Sequence, residues 1–242
     1  MAEPCAWRSA GVTDTGLKRL HNEDAFLDSP GSQLWAVADG MGGHDRGEIA
    51  SAMVCKALGQ IRGDSLTEVV DAADDAICAV NAQLLEMASE HGSSGLIGCT
   101  VVALIAREQV AVCLWAGDSR IYRLRDQVLE QVTEDHSLVA ERAGVQGSDP
   151  PTNRNVITRA VGATADLILD VDSFDVRLGD RFLLCSDGLT NELDDDFLFR
   201  TLCAGSASVV ARQLVDAANH AGGRDNVSAL VVDYHEARIS NS

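Results

Sequence analysis

The stretch WAVADGMGGH, Trp35 to His44, runs apolar side chains straight into an aspartate and then into a cluster of glycines. An apolar strand that ends in a carboxylate needs a reason, because burying an unpaired charge is strongly unfavourable. FLLCSDGLT, Phe182 to Thr190, repeats the pattern, an apolar run closed by Asp-Gly. Two strands therefore each deliver an aspartate, Asp39 and Asp187, to a place that must accommodate it.

On either side of these runs the periodicity changes in blocks. From Gly47 to about Gly63, Ile49, Met53, Ala57 and Ile61 recur at helical spacing with Ala50, Val54 and Leu58 beside them, which predicts a helix with a broad apolar face. Asp64 is placed as the next N-cap, with Ser65 beside it, and Leu66, Val69, Val70, Ala73, Ile77, Val80, Leu84 and Met87 continue the helical period. The short connection makes the two helices antiparallel neighbours. Strand-like runs follow at 100–106, 109–116, 121–124 and 128–132, separated by charged or turn pairs, and read as an antiparallel meander. A third helix is expected over 206–221 and a last strand over 226–234. Blocks of helices between blocks of strands argue for an α+β fold. No linker, tandem repeat or low-complexity tract divides residues 1–242, so a single domain is expected. Residues 135–163, with Gly144, Gly147, Pro150 and Pro151, are expected to leave the core as an excursion.

Composition excludes several partners. The net charge of −18 comes from 37 acidic against 19 basic residues with no Lys/Arg block, so nucleic acid is repelled at long range. No apolar run approaches the roughly 20 residues that cross a bilayer, and the N-terminus lacks a secretory pattern, so neither membrane insertion nor export is expected. None of the seven cysteines forms C-x-x-C, and Cys55, Cys78, Cys99, Cys113 and Cys185 sit in apolar segments. A reducing, cytoplasmic setting fits that usage.

Further acids stand at the edges of expected strands: Glu23 and Asp24 in RLHNEDAF, Asp118 in WAGDSRIY and Asp225 in GGRDNVSALVV. A lone turn aspartate is usually a turn former. Several converging on one rim of a sheet sandwich would repel one another unless cations sat between them, and hard oxygen ligands select Mg²⁺, Mn²⁺ or Ca²⁺. Gly40 leaves its carbonyl free to reach such an ion. A dinucleotide loop fails because the third glycine of G-x-G-x-x-G falls on Asp45, and no Lys-Ser/Thr follows for a P-loop. No cysteine is followed by arginine six positions later, which excludes a cysteine phosphatase. The EF-hand spacing is not matched, while a calcium-binding structural module stays open.

Thr13–Ala25 (TDTGLKRLHNEDA), Ala38–Ser51 (ADGMGGHDRGEIAS), Gly117–Arg120 (GDSR), Ser186–Thr190 (SDGLT) and Gly222–Val227 (GGRDNV) together resemble the ordered motifs of the metal-dependent PP2C-type serine/threonine protein phosphatases. The similarity is greatest to the small bacterial branch, and loosely to the phosphatases paired with a kinase in type VI secretion. It implies a four-layer α-β-β-α sandwich with two Mn²⁺ or Mg²⁺ ions between the sheets. On that resemblance Asp39 bridges the metals, the Gly40 carbonyl binds one, Asp187 and Asp225 bind the other, and Glu23 and Asp24 hold metal-bound waters. Arg19 grips the substrate phosphate, and a weaker third ion lies near Asp118. It further implies a bridging water as nucleophile, a phosphoserine or phosphothreonine protein substrate, a cognate Ser/Thr kinase, a monomer, and 135–163 as a flap. Met41 stands where many relatives carry a histidine taken as general acid, leaving His44 or a metal-bound water for that role. Asn191 stands where many carry aspartate, which removes a negative oxygen from the third site. The rival function is a non-catalytic metal-binding scaffold, which loss of ligands would signal. Every matched metal aspartate is present.

Overall fold

The computed structural model describes residues 5–42, 46–90, 96–138 and 156–236; His44 and residues 139–155 of the expected flap lie outside them. In chain order the elements are β1 (Cys5–Asp14), β2 (Asp24–Ser29), β3 (Leu34–Met41), α1 (Arg46–Gly59), α2 (Leu66–Glu90), β4 (Gly98–Cys99), β5 (Val101–Arg107), β6 (Val110–Ala116), β7 (Arg120–Arg125) and β8 (Val128–Gln131). They continue with β9 (Asp170–Asp175), β10 (Arg181–Cys185), α3 (Asp187–Thr190), α4 (Asp195–Leu202), α5 (Ala207–Ala221) and β11 (Val227–Glu236). Among the described residues one sheet has the order β1-β11-β10-β7-β8, and the other β2-β3-β5-β6-β9 with β4 beside β3.

Each central strand is apolar on both faces, and the period of two along a strand sorts its side chains into different layers. In β3, Leu34, Ala36 and Ala38 pack with Ala50, Val54 and Leu58 of α1 and Ile77 and Leu84 of α2. Trp35 and Val37 face the other way and meet Phe182, Leu184, Leu230 and Val232 of the opposing sheet. The outer face of that sheet, with Leu183, Cys185, Ala229 and Val231, packs on Val210, Leu214 and Ala218 of α5. The result is the expected four-layer α-β-β-α sandwich. No helix among the described residues is long and apolar enough to cross a membrane.

The expected meander is corrected. β5 pairs with β6 in one sheet and β7 pairs with β8 in the other, so the chain crosses between sheets at Gly117–Ser119. Apolar alternation identifies strands but says nothing about which edge each joins, and Gly117 at φ +116 supplies the turn. The first helix stops at Gly59, where Gln60 and Ile61 N–H turn to the carbonyls three residues back and the Arg62 guanidinium donates to the carbonyls of Gly59 and Ile61 at 3.0 and 2.6 Å. Ser65 takes the capping place expected of Asp64: its Oγ accepts from Glu68 N–H at 3.2 Å, while Glu68 Oε2 accepts from Ser65 N–H at 3.3 Å.

Candidate metal centre

Asp24 and Asp39 are register partners on β2 and β3, on the parity that faces the opposing sheet. β3 does not stop at Asp39; it continues to Met41, pairing Gly40 with Cys99 and Met41 with Gly98. Asp39 is held by its backbone: its N–H donates to Thr100 Oγ1 at 3.1 Å and its carbonyl accepts from Thr100 N–H at 2.8 Å. Gly40 meets a tighter constraint than a free carbonyl, since a Cβ there would lie 2.3 Å from the Gly47 carbonyl oxygen and 2.5 Å from that of Glu23. Only glycine lets the start of α1 and the Glu23 loop close over β3.

The other sheet supplies its acids from strand ends. Asp187 opens α3 directly after β10, and its Oδ2 accepts from Asn191 Nδ2 at 3.0 Å. Asp225 precedes β11, and Asp118 lies in the crossover between sheets. Asp24 joins the two sheets, its Oδ2 accepting from Ser186 Oγ and Ser228 Oγ at 2.7 Å each. Asp24 is buried, whereas Asp39, Asp118, Asp187 and Asp225 keep partial solvent access.

These carboxylates feel one another. Burial pushes Asp24 up to about 7 against the hydrogen bonds from Ser186 and Ser228, and Asp187 and Asp225 add to the rise. Asp39 is driven well above the carboxylate range by desolvation and then by Asp24, Asp187, Asp118 and Asp225. Asp118 rises to about 7 through burial, Asp187 and Asp135. Asp187 is raised by burial and Asp225, with a hydrogen bond to Asp39 acting the other way.

Two oxygens in this cluster, Asp24 Oδ1 and Asp118 Oδ1, are buried without a hydrogen-bond partner. Acceptors in excess of donors, all hard oxygens, are the donor set that divalent Mg²⁺ or Mn²⁺ takes. Among the described residues no three side chains are already closed around one point as a ligand cage. Asp225 Oδ2 instead accepts from Arg19 Nη2 at 2.7 Å. Arg19, expected to face a phosphate, rests here on the nearest carboxylate with its side chain 52% exposed. The Glu23 carbonyl accepts from Gly40 N–H at 3.0 Å and from Ser51 Oγ at 2.6 Å, which holds Glu23 beside the cluster.

Sequence reasoning missed Asn226. Its Nδ2 donates to the carbonyls of Thr15 and His21, both at 2.9 Å, and its Oδ1 accepts from Glu23 N–H at 2.9 Å. One buried amide thus ties the loop carrying Arg19 and Glu23 to the strand that follows Asp225. Its one sequence signal is an amide, able to donate and accept at once, next to a site aspartate.

Residues 17–219 match the family model described as Protein phosphatase 2C. The chain belongs to the protein phosphatase 2C family. The serine/threonine phosphatase stp of Listeria monocytogenes serovar 1/2a is 34% identical over 235 residues, 91% of this chain and 93% of that protein. The solved structure of PppA, a key regulatory component of T6SS in Pseudomonas aeruginosa, matches with a TM-score of 0.90 at 41% identity, covering 96% of this chain and 100% of that one. The catalytic domain of the serine/threonine protein phosphatase PstP, in complex with 2 manganese ions, matches at a TM-score of 0.84 and 32% identity, covering 96% and 100% of the two chains. This member of the 2C family is accordingly a protein phosphatase, and its sandwich is the fold of those relatives.

Proposed function

We propose that this chain hydrolyses phosphoserine and phosphothreonine on proteins at a centre of two Mn²⁺ or Mg²⁺ ions, opposing a Ser/Thr protein kinase. The observation that carries this is the convergence of Asp24, Asp39, Asp118, Asp187 and Asp225 from separate elements, with two buried oxygens left unpartnered. The manganese pair held by PstP supports it. Asp39 would bridge the ions, the Gly40 carbonyl would bind one, and Asp187 and Asp225 the other, with Glu23 and Asp24 orienting water. When bound, the ions supply a water of lowered pKa and offset charge on the phosphoryl oxygens.

Arg19 would exchange Asp225 for the substrate phosphate. Its guanidinium donates to Asp225 and has a planar fork suited to phosphate. Arg19→Ala is expected to raise KM for a phosphopeptide by about 1.5–3 kcal/mol with a smaller change in kcat. Steady-state kinetics decide, and an unchanged KM would assign Arg19 elsewhere. Asp118 would hold a weaker third ion, since Asn191 brings no charge, and with Met41 in the histidine position a water held there would take the part of the proton donor.

The chain is read as one phosphatase domain with 135–163 as its substrate-facing flap, working as a cytoplasmic monomer. Cys55, Cys99, Cys113 and Cys185, buried and free, suit a reducing compartment. Its likeness to PppA supports a place in type VI secretion control. Phosphothreonine-peptide turnover, measured after chelation and again after adding Mn²⁺, tests the core of the reading: activity should vanish and return. Full activity in chelator would overturn it. A scaffold would show metal binding without turnover.

A further inference from the structure

The crossover that carries Asp118 belongs to neither sheet, since β6 ends at Ala116 and β7 begins at Arg120. Ser119 Oγ meets Thr100 Oγ1 at 2.7 Å on its far side, and His136 holds its start. Gly117 N–H donates to His136 Nδ1 at 3.1 Å, and the Gly117 carbonyl accepts from His136 N–H at 2.9 Å. Gly117 itself has no room for a side chain, because a Cβ would meet Thr100 Cβ and Cγ2 at 2.6 Å. His136 is buried at 4% exposure with its ring stacked on Trp115 at an interplanar angle of 16°.

The same histidine reaches two other segments. Its Nε2 lies 3.1 Å from Asp170 Oδ2 at the start of β9, and Asp170 Oδ1 also accepts from Arg159 Nη1 at 2.5 Å. Its carbonyl accepts from Thr158 N–H at 2.8 Å, and Leu138 N–H donates to the Val156 carbonyl at 3.0 Å. Because Nδ1 accepts a hydrogen bond, the ring proton sits on Nε2, where it is donated to Asp170. One tautomer satisfies both nitrogens.

We propose that His136 is a positioning residue for catalysis: its Nδ1 fixes the Gly117–Asp118 crossover, and its backbone ties that crossover to the returning segment at Thr158. The catalytic consequence rests on the reading of Asp118 given above. Outer residues that aim metal-site groups typically change activity by about 10–100-fold when removed, although they touch no substrate.

Two substitutions separate the nitrogens. In His136→Asn, Oδ1 falls near the place of Nδ1 and can still accept from Gly117, while the reach to Asp170 is lost. In His136→Gln the amide nitrogen falls near Nε2 and can still donate to Asp170, while nothing accepts from Gly117. Amide exchange at Gly117, followed by NMR, should accelerate by about tenfold or more in His136→Gln and stay within about threefold of the parent in His136→Asn, one hydrogen bond being worth roughly that factor. kcat should fall by about tenfold in the Gln variant with KM little changed, and be largely kept in the Asn variant. A purely packing role predicts the reverse order, because Asn leaves the larger void. Equal Gly117 exchange in both variants, or faster exchange in the Asn variant, overturns the proposal. Asp118→Ala run alongside keeps the two readings apart: undiminished kcat there would sink the role of Asp118, and the Gly117 exchange contrast would then decide His136 alone.

Discussion

Asp39→Asn is expected to lose about three orders of magnitude or more in phosphopeptide turnover and, at the same time, to melt higher than the parent when both are metal-free. The substitution keeps shape and leaves the two backbone hydrogen bonds to Thr100 in place. What it removes is the cost of holding a carboxylate, or of neutralising it with a proton, at the point where desolvation, Asp24, Asp187, Asp118 and Asp225 all oppose charge. In the metal-free protein that relief is stabilising. On the proposed reading it would take a charged ligand from the metal centre, and losing metal chemistry would remove far more than one oxyanion donor, itself worth about 10²–10³. Kinetics, calorimetric metal titration and thermal melts on one preparation test both halves. Turnover at parental levels would remove Asp39 from the centre, and a lower metal-free Tm would refute the account of its strain.

The second expectation concerns pH. Asp24 and Asp118 have folded values near 7 against an ordinary 3.8, so between those limits the folded state holds protons that the unfolded chain has released. A carboxyl raised in this way contributes stability below its unfolded value and loses it as pH rises towards its folded value. The metal-free protein should therefore lose stability from about pH 4 to about pH 7, by up to about 4 kcal/mol for each of these groups before relaxation and water entry reduce it. Glu192, held low by its hydrogen bond from Arg224, acts in the opposite sense and gives up its contribution only as pH falls further. Mn²⁺ binds the ionised carboxylates, so saturating metal should flatten or invert the decline. Melting curves across pH 4.5–8 with and without Mn²⁺, a range of about one unit beyond the titration at its upper end, measure this. A flat metal-free profile, or the same slope with metal, would contradict it.

Much of this protein is local in origin. The apolar runs of β3 and β10, the helical period of α1, α2 and α5, and the Asp-Gly pairs at Asp39 and Asp187 are statements about neighbours in the chain. Burial on both faces of a strand and on one face of a helix leaves a period that can be read without the partner. The out-of-place acids were legible for the same reason, since an aspartate closing an apolar run is anomalous wherever it lands. β9 was not legible: DVDSFD is acidic and largely exposed, and it is a strand because β6 offers it an edge. β1 and β2 escaped too, since Gly11 is there to admit the Phe26 ring from the facing strand. The strand assignments of β6 and β7 to different sheets, the Asp24 carboxylate held by Ser186 and Ser228, the Asn226 clamp and the His136 hold on Gly117 all join residues distant in the chain. Sequence by itself determined which segments are strands or helices and which acids are out of place, because those follow from the solvent each side chain must avoid or keep. Only the tertiary structure decided which acids meet and what aims them, because a hydrogen bond between distant segments forms only after the sandwich has brought them within reach and leaves no period behind.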